Sequence, residues 1–128
     1  MKQIIIVNSD IQMSAGKLAA QVAHASVGAI LDKYADQVSG WNNVCDVGHY
    51  AEQWWSEITG WSCNGETKIV LKAPLEELNR VVDKLRHLPN HTVVDEGRTE
   101  LEPGTITCAA IGPSSNEDLR ATRHLALY

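Results

Sequence analysis

Lys17, Gln21 and His24 recur at intervals of four and three within residues 14–25, SAGKLAAQVAHA, and Gly28 follows four residues later. On a helix that spacing places all four on one face. A cation, an amide and an imidazole in one row can hold an oxyanion, orient a water or move a proton. The glycine at the far end of the row lets another element approach closely. The rest of the stretch is apolar almost all round, through Leu18, Ala19, Ala20, Val22, Ala23, Ala25 and Val27, as expected of a helix packed on a sheet. A lysine in the first turn opposes the helix dipole by roughly 0.3–1 kcal/mol. A blander alternative has Lys17 snorkelling to solvent and Gln21 capping a nearby loop. The residues alone leave these two readings level.

A second set lies at residues 95–105, DEGRTELEPGT. It offers the carboxylate of Asp95 at a strand end, then a glycine, Arg98, Thr99 and a Pro-Gly turn into the next strand. Ligands of open α/β sheets favour the carboxyl ends of strands. Lys17 lies just beyond the first strand and Asp95 at the end of a later one, so the two meet if those strands are parallel neighbours. The alternative is a polar hairpin in which Arg98 pairs with Glu100 or Glu102. Other constellations fail. Gly16–Lys17 is no Walker A motif, because Ile11 stands at its first glycine and Leu18 at its Ser/Thr. Cys45, His49 and Cys63 match no common zinc spacing. Ser26, His24 and Asp95 lack a nucleophile elbow. His49, His87, His91 and His124 read as ordinary surface or core histidines, and nothing calls for a metal or an organic cofactor.

The elements that must position these residues follow from periodicity. Residues 2–8 (KQIIIVN) form a β-branched run typical of a buried strand. Ser14 caps a helix running to about residue 38, and residues 39–43 (SGWNN) break it. A shorter helix is expected over residues 47–58, ended by Thr59 and Gly60. Residues 67–73 (TKIVLKA) read as a second strand. Pro74 opens a helix with Leu75, Leu78, Val81, Val82 and Leu85 at helical spacing. Residues 91–95 form a short strand, residues 105–111 (TITCAAI) a last clear one, and a short helix begins near Asn116 after a Gly-Pro-Ser-Ser loop. This order argues for an α/β layer fold with a partly parallel sheet. All four tryptophans fall within residues 41–61. They pack the short helix onto the sheet, although adjacent Trp54 and Trp55 cannot both face inward, so at least one is a surface candidate.

The chain has 128 residues, enough for one domain with one core. A net charge of −5 removes the broad basic surface usual for a nucleic-acid binder. A polyanion would have to be held by a local basic patch. The three scattered cysteines read as reduced thiols of a cytoplasmic protein. Signal-peptide and membrane-spanning patterns are not expected.

The block QMSAGKLAAQVAHASVGA at residues 12–29, paired with DEGRTELEPGTITCAAIGP at residues 95–113, resembles the archaeal/eukaryotic-type (type 2) peptidyl-tRNA hydrolase family. KQIIIVNSD, KIVLKAP and the HLALY end also fit, whereas residues 41–65 match weakly. The resemblance implies a single three-layer α/β/α domain with a mixed, mostly four-stranded sheet, commonly a homodimer. It implies hydrolysis of the ester joining a peptide to the 3′ ribose of tRNA, with peptidyl-tRNA as partner. On the family pattern Lys17, Gln21, Asp95 and Thr99 match active-site positions, with His24 on the same stripe and Arg98, Thr105 and Thr107 as supporting residues. Gln12 and Ala15 stand where lysines are expected, which weakens attraction to tRNA phosphates. A non-catalytic binding module built on the same fold, or a hydrolase of smaller esters or amides, stays open at this point.

Overall fold

A computed structural model of the chain describes residues 1–39 and 47–128, with side chains at 1–35 and 53–128. In chain order the elements are β1 (Lys2–Asn8), α1 (Ala15–Ser39), α2 (Val47–Cys63), β2 (Lys68–Ala73) and α3 (Leu75–Lys84). They continue with β3 (Asn90–Val94), β4 (Ile106–Ser114), a 3-10 helix (Asp118–Thr122) and β5 (Ala126–Leu127). The sheet order is β3-β4-β1-β2-β5. β1 pairs parallel with β2, and the other three ladders are antiparallel.

The unbroken apolar run of β1 reflects burial on both faces. Ile4 and Ile6 point to one side and join Leu71, Leu78, Val81, Leu85 and Leu119 from β2, α3 and the 3-10 helix. Ile5 and Val7 point to the other and meet Ala25 and Ala29 of α1, with Val93 and Cys108. Helices therefore cover both faces, giving the expected three-layer α/β fold. The mixed sheet has five strands rather than four. Its fifth is only two residues long, held by Leu71↔Leu127 and Lys72↔Ala126, too short to leave a periodic signal.

Three further expectations are corrected. α2 continues through Gly60 to Cys63, because Trp61 is buried and its indole N–H donates to the Thr67 carbonyl at 3.1 Å. β4 runs on through Gly112 and Pro113 to Ser114. Gly112 takes φ +97, which suits a glycine, and its amide donates to the Pro89 carbonyl at 2.7 Å. The final helix is a 3-10 segment beginning at Asp118. Trp54 and Trp61 are buried and Trp55 is exposed. Of the expected break over residues 39–43, Ser39 is still helical and the rest lies outside the described residues, as do Trp41, Cys45 and the side chain of His49. Among the described residues no helix is long and apolar enough to cross a membrane.

The strands carrying Lys17's helix and Asp95 are not neighbours, because β4 lies between β1 and β3. A helix about 10 Å wide spans two strand spacings of about 4.8 Å. α1 thus crosses β4 and lies over β3, and its polar stripe faces β3 all the way along. Gly28 sits on the His91 ring at one end, and Lys17 and Gln21 meet Asp95 at the other.

Candidate active site

The loop from β1 to α1 is tied down before the helix starts. Buried Asn8 donates from Nδ2 to the Ile106 carbonyl at 2.9 Å and accepts the Asp10 N–H at 2.9 Å. Asp10 in turn accepts the Leu75 N–H at the start of α3, also at 2.9 Å. These bonds bring the end of β1, the start of α3 and the start of β4 to one edge of the sheet. β3 delivers Asp95 to the same edge.

Asp95 continues the ladder beyond β3. Its N–H donates to the Thr105 carbonyl and its carbonyl accepts the Gly104 N–H, both at 2.8 Å. Its side chain is 4% exposed and accepts from three donors, two on α1 and one in its own loop. Oδ1 accepts from Lys17 Nζ and from Gln21 Nε2 at 3.0 Å, while Oδ2 accepts the Gly97 N–H at 2.9 Å. The Lys17 hydrogen bond, most of all, holds the Asp95 carboxyl below its ordinary value of 3.8. Burial pushes the other way, and the Gly97 N–H, the Lys17 charge and the Gln21 amide reinforce the lowering. Gly97 has φ +75, and a Cβ there would lie 2.5 Å from Pro103, so the turn that presents this N–H needs a glycine.

Lys17 Nζ also donates to Thr99 Oγ1 at 3.2 Å. Having accepted from a lysine, the Thr99 hydroxyl keeps its own proton free to donate. Glu100 fastens the same loop to the helix, accepting the Ser14 N–H at 2.9 Å and the Ser14 hydroxyl. The Ser14 hydroxyl, then its N–H, keep the Glu100 carboxyl below the usual range. The Glu100 link was not legible in sequence, where Glu100 offered itself as a partner for Arg98. Arg98 instead pairs with Glu96 at 2.6 Å, with both side chains exposed.

Lys17, Gln21, His24, Asp95 and Thr99 line a cleft of about 380 Å³, together with Val93, Val94, Glu96 and Arg98. His24 is exposed there. Thr105 and Thr107 do not line it. The Thr105 hydroxyl donates to the Glu102 carbonyl at 2.7 Å, and the enclosed Thr107 hydroxyl lies 3.4 Å from the Val93 carbonyl. Ser26 is buried and donates to Gln3 at 2.6 Å, so it forms no triad with His24 and Asp95. Gln21 Oε1 is enclosed and has no hydrogen-bond partner among the described residues. The Gln21 carbonyl takes the thiol of Cys108 at 3.3 Å, and burial pushes that thiol up to about 11. Among the described residues no three His, Cys, Asp or Glu side chains are grouped to hold a metal ion. The arrangement is a lysine cation and a hydroxyl donor beside an ionised carboxylate, at an open cleft. Such a set can polarise an acyl carbonyl and orient a water against it.

The family model described as "Peptidyl-tRNA hydrolase PTH2" matches residues 1–128. A protein of Haloquadratum walsbyi named "Peptidyl-tRNA hydrolase" is 42% identical over 132 residues, covering 100% of both chains. One of the same name from Methanopyrus kandleri is 43% identical, covering 98% of this chain and 97% of its own. Another from Metallosphaera sedula is 41% identical, covering 91% and 90%.

Proposed function

This chain belongs to the peptidyl-tRNA hydrolase PTH2 family, and from that premise we propose that Lys17, Gln21, Asp95 and Thr99 carry out its ester hydrolysis. The enzyme cleaves the bond between a peptide and the 3′ ribose of tRNA, so peptidyl-tRNA is its substrate. The observation that carries the site is the convergence of Lys17, Gln21 and the Gly97 N–H on one nearly buried carboxylate that opens on a cleft.

Asp95 Oδ2 accepts one protein N–H and has lone-pair capacity left for a water. That water attacks the acyl carbon while Lys17 and the Thr99 hydroxyl stabilise the developing oxyanion. Collapse breaks the bond to O3′, which takes the proton lost by the attacking water, and the water's second proton passes to solvent as the new peptide acid ionises. The products are a peptide carboxylate and tRNA with a free 3′-hydroxyl. A carboxylate held below its ordinary pKa is a weak base, so Asp95 acts chiefly by orienting water and fixing Lys17. Gln21 fixes Asp95 from the helix side, and His24 stands at the mouth where the ribose enters. Arg98 at the rim meets a backbone phosphate, and Thr105 and Thr107 hold the loop from behind.

We place the enzyme in the cytoplasm with its substrate, and as a homodimer. The dimer reading is supported by an exposed apolar row on α1, Val27, Leu31 and Tyr34. Tyr34 meets exposed Trp55 of α2 edge-to-face at 5.9 Å.

The test of the site is release of the amino acid from N-acetyl-aminoacyl-tRNA. Lys17→Ala and Asp95→Asn should each lose at least about 100-fold in kcat/KM, the scale of a removed oxyanion donor. Full rates in both variants would reject the assignment while leaving the family membership intact.

A further inference from the structure

The substrate's peptide must lie somewhere, and its sequence varies from one stalled message to another. A site that serves all of them has to recognise main chain rather than side chains. The free edge of β3 offers such a site, and it runs directly into Asp95.

Among the described residues β3 has a neighbouring strand, β4, on one side only. Main-chain groups of successive strand residues alternate between the two edges. Four bonds fix that alternation here. The Pro89 carbonyl accepts the Gly112 N–H, the Val93 carbonyl receives the Thr107 hydroxyl, and Asp95 bonds through both its N–H and its carbonyl toward Thr105 and Gly104. Residues 89, 93 and 95 therefore turn inward to β4. Thr92 and Val94 turn their N–H and C=O groups outward. The irregularity between Val93 and Val94 adds its extra residue, Thr107, on β4 and leaves the β3 alternation intact. Val94 is 53% exposed, and Val93 and Val94 line the same cleft as Lys17, Gln21 and Asp95.

We propose that the peptide of peptidyl-tRNA binds as an added strand on the outer edge of β3, in parallel register, with its C-terminal residue opposite Asp95. The inference rests on the site proposed above, which fixes the position of the ester. With the ester at Asp95 the peptide extends back toward Asn90, so its direction matches that of β3. A parallel ladder then assigns each bond. The N–H of the C-terminal residue donates to the Val94 carbonyl. The residue two before it accepts the Val94 N–H and donates to the Thr92 carbonyl. The residue two earlier again accepts the Thr92 N–H. The penultimate residue turns its main chain away and makes none of these bonds.

That alternation is the test. tRNAs carrying N-acetylated pentapeptides with a single backbone N-methyl group are hydrolysed in turn. N-methylation of the C-terminal residue or of the one two before it should lower kcat/KM about five-fold, the worth of one net hydrogen bond. N-methylation of the penultimate residue should leave it unchanged. Unmodified substrates should gain in kcat/KM from one residue to three and again to five, whatever their side chains. Val94→Pro removes one outward N–H and no ladder bond, and should reduce the gain from the third residue. Equal effects at all three positions, with N-acetyl-aminoacyl-tRNA still hydrolysed, would overturn the added strand and leave the catalytic site standing. If Val94→Pro lowers the oligomeric mass while the N-methyl series is flat, a second copy occupies the edge and the proposal fails. Loss of hydrolysis of every substrate by the unaltered enzyme rejects the site and the strand together.

Discussion

Asp95 is where the residues of both blocks meet, and its environment predicts how activity depends on pH. Its carboxyl is held below 3.8 mainly by the Lys17 hydrogen bond. Activity that needs the carboxylate should therefore hold well into the acid range and fall below the ordinary carboxylate value. Lys17→Ala should move the acid limb of residual activity upward, since the largest lowering influence is then gone; an unmoved limb in a pH–rate profile would separate Lys17 from Asp95. Stability follows the same sign. The folded value lies below the unfolded one, so the pairing's stabilisation is complete above the unfolded pKa and is lost as pH falls through the folded one. Gln21 gives a second prediction. Its Oε1 is enclosed and unpaired among the described residues, a burden of about 1–3 kcal/mol. Gln21→Met should leave the melting temperature unchanged or higher while hydrolysis falls about tenfold or more. A drop in both would make Gln21 a structural residue. The meeting of Lys17 with Asp95 was legible as an option in the residue types, whereas the Gln21–Asp95 bond was not. Nor was the orphaned oxygen, because satisfaction depends on every neighbour at once.

At the scale of elements, the site depends on α1 lying flat along β3. Gly28 permits this: a Cβ there would come within 2.4 Å of the His91 ring, whose Nδ1 lies 2.6 Å from Asp32. Gly28→Ala should destabilise by about 1–3 kcal/mol through overpacking, read as a fall of several degrees in Tm. It should also lower kcat by lifting the helix from Asp95. His91→Ala should relieve Gly28→Ala in a double-mutant cycle; additive losses would show that the close contact is not what limits the packing. The stripe containing Gly28 was legible from its period, as was the need for something to come close. That the visitor is His91 was not legible, since a histidine in a short strand carries no mark of its partner. The Ser14–Glu100 link escaped for the same reason, because it joins residues far apart in sequence.

For the whole molecule, the apolar row Val27, Leu31 and Tyr34 faces outward on a helix whose composition suggested burial all round. Leu31 is 57% exposed, and Leu31→Glu should convert a dimer to a monomer in sedimentation with the far-UV spectrum unchanged. A monomeric unaltered enzyme would dismiss the dimer. By itself the sequence determined the layered α/β class, the helical stripe and the second polar block, because periodicity and residue type are local properties. Resemblance of those two blocks to a known family supplied the chemistry. Only the tertiary structure decided which strand lies between the two halves of the site, which face of α1 is exposed, and which edge of the sheet, beside Asp95, has no neighbouring strand among the described residues. Each of these depends on strand order and helix placement, and those are settled by contacts between segments that the chain keeps tens of residues apart.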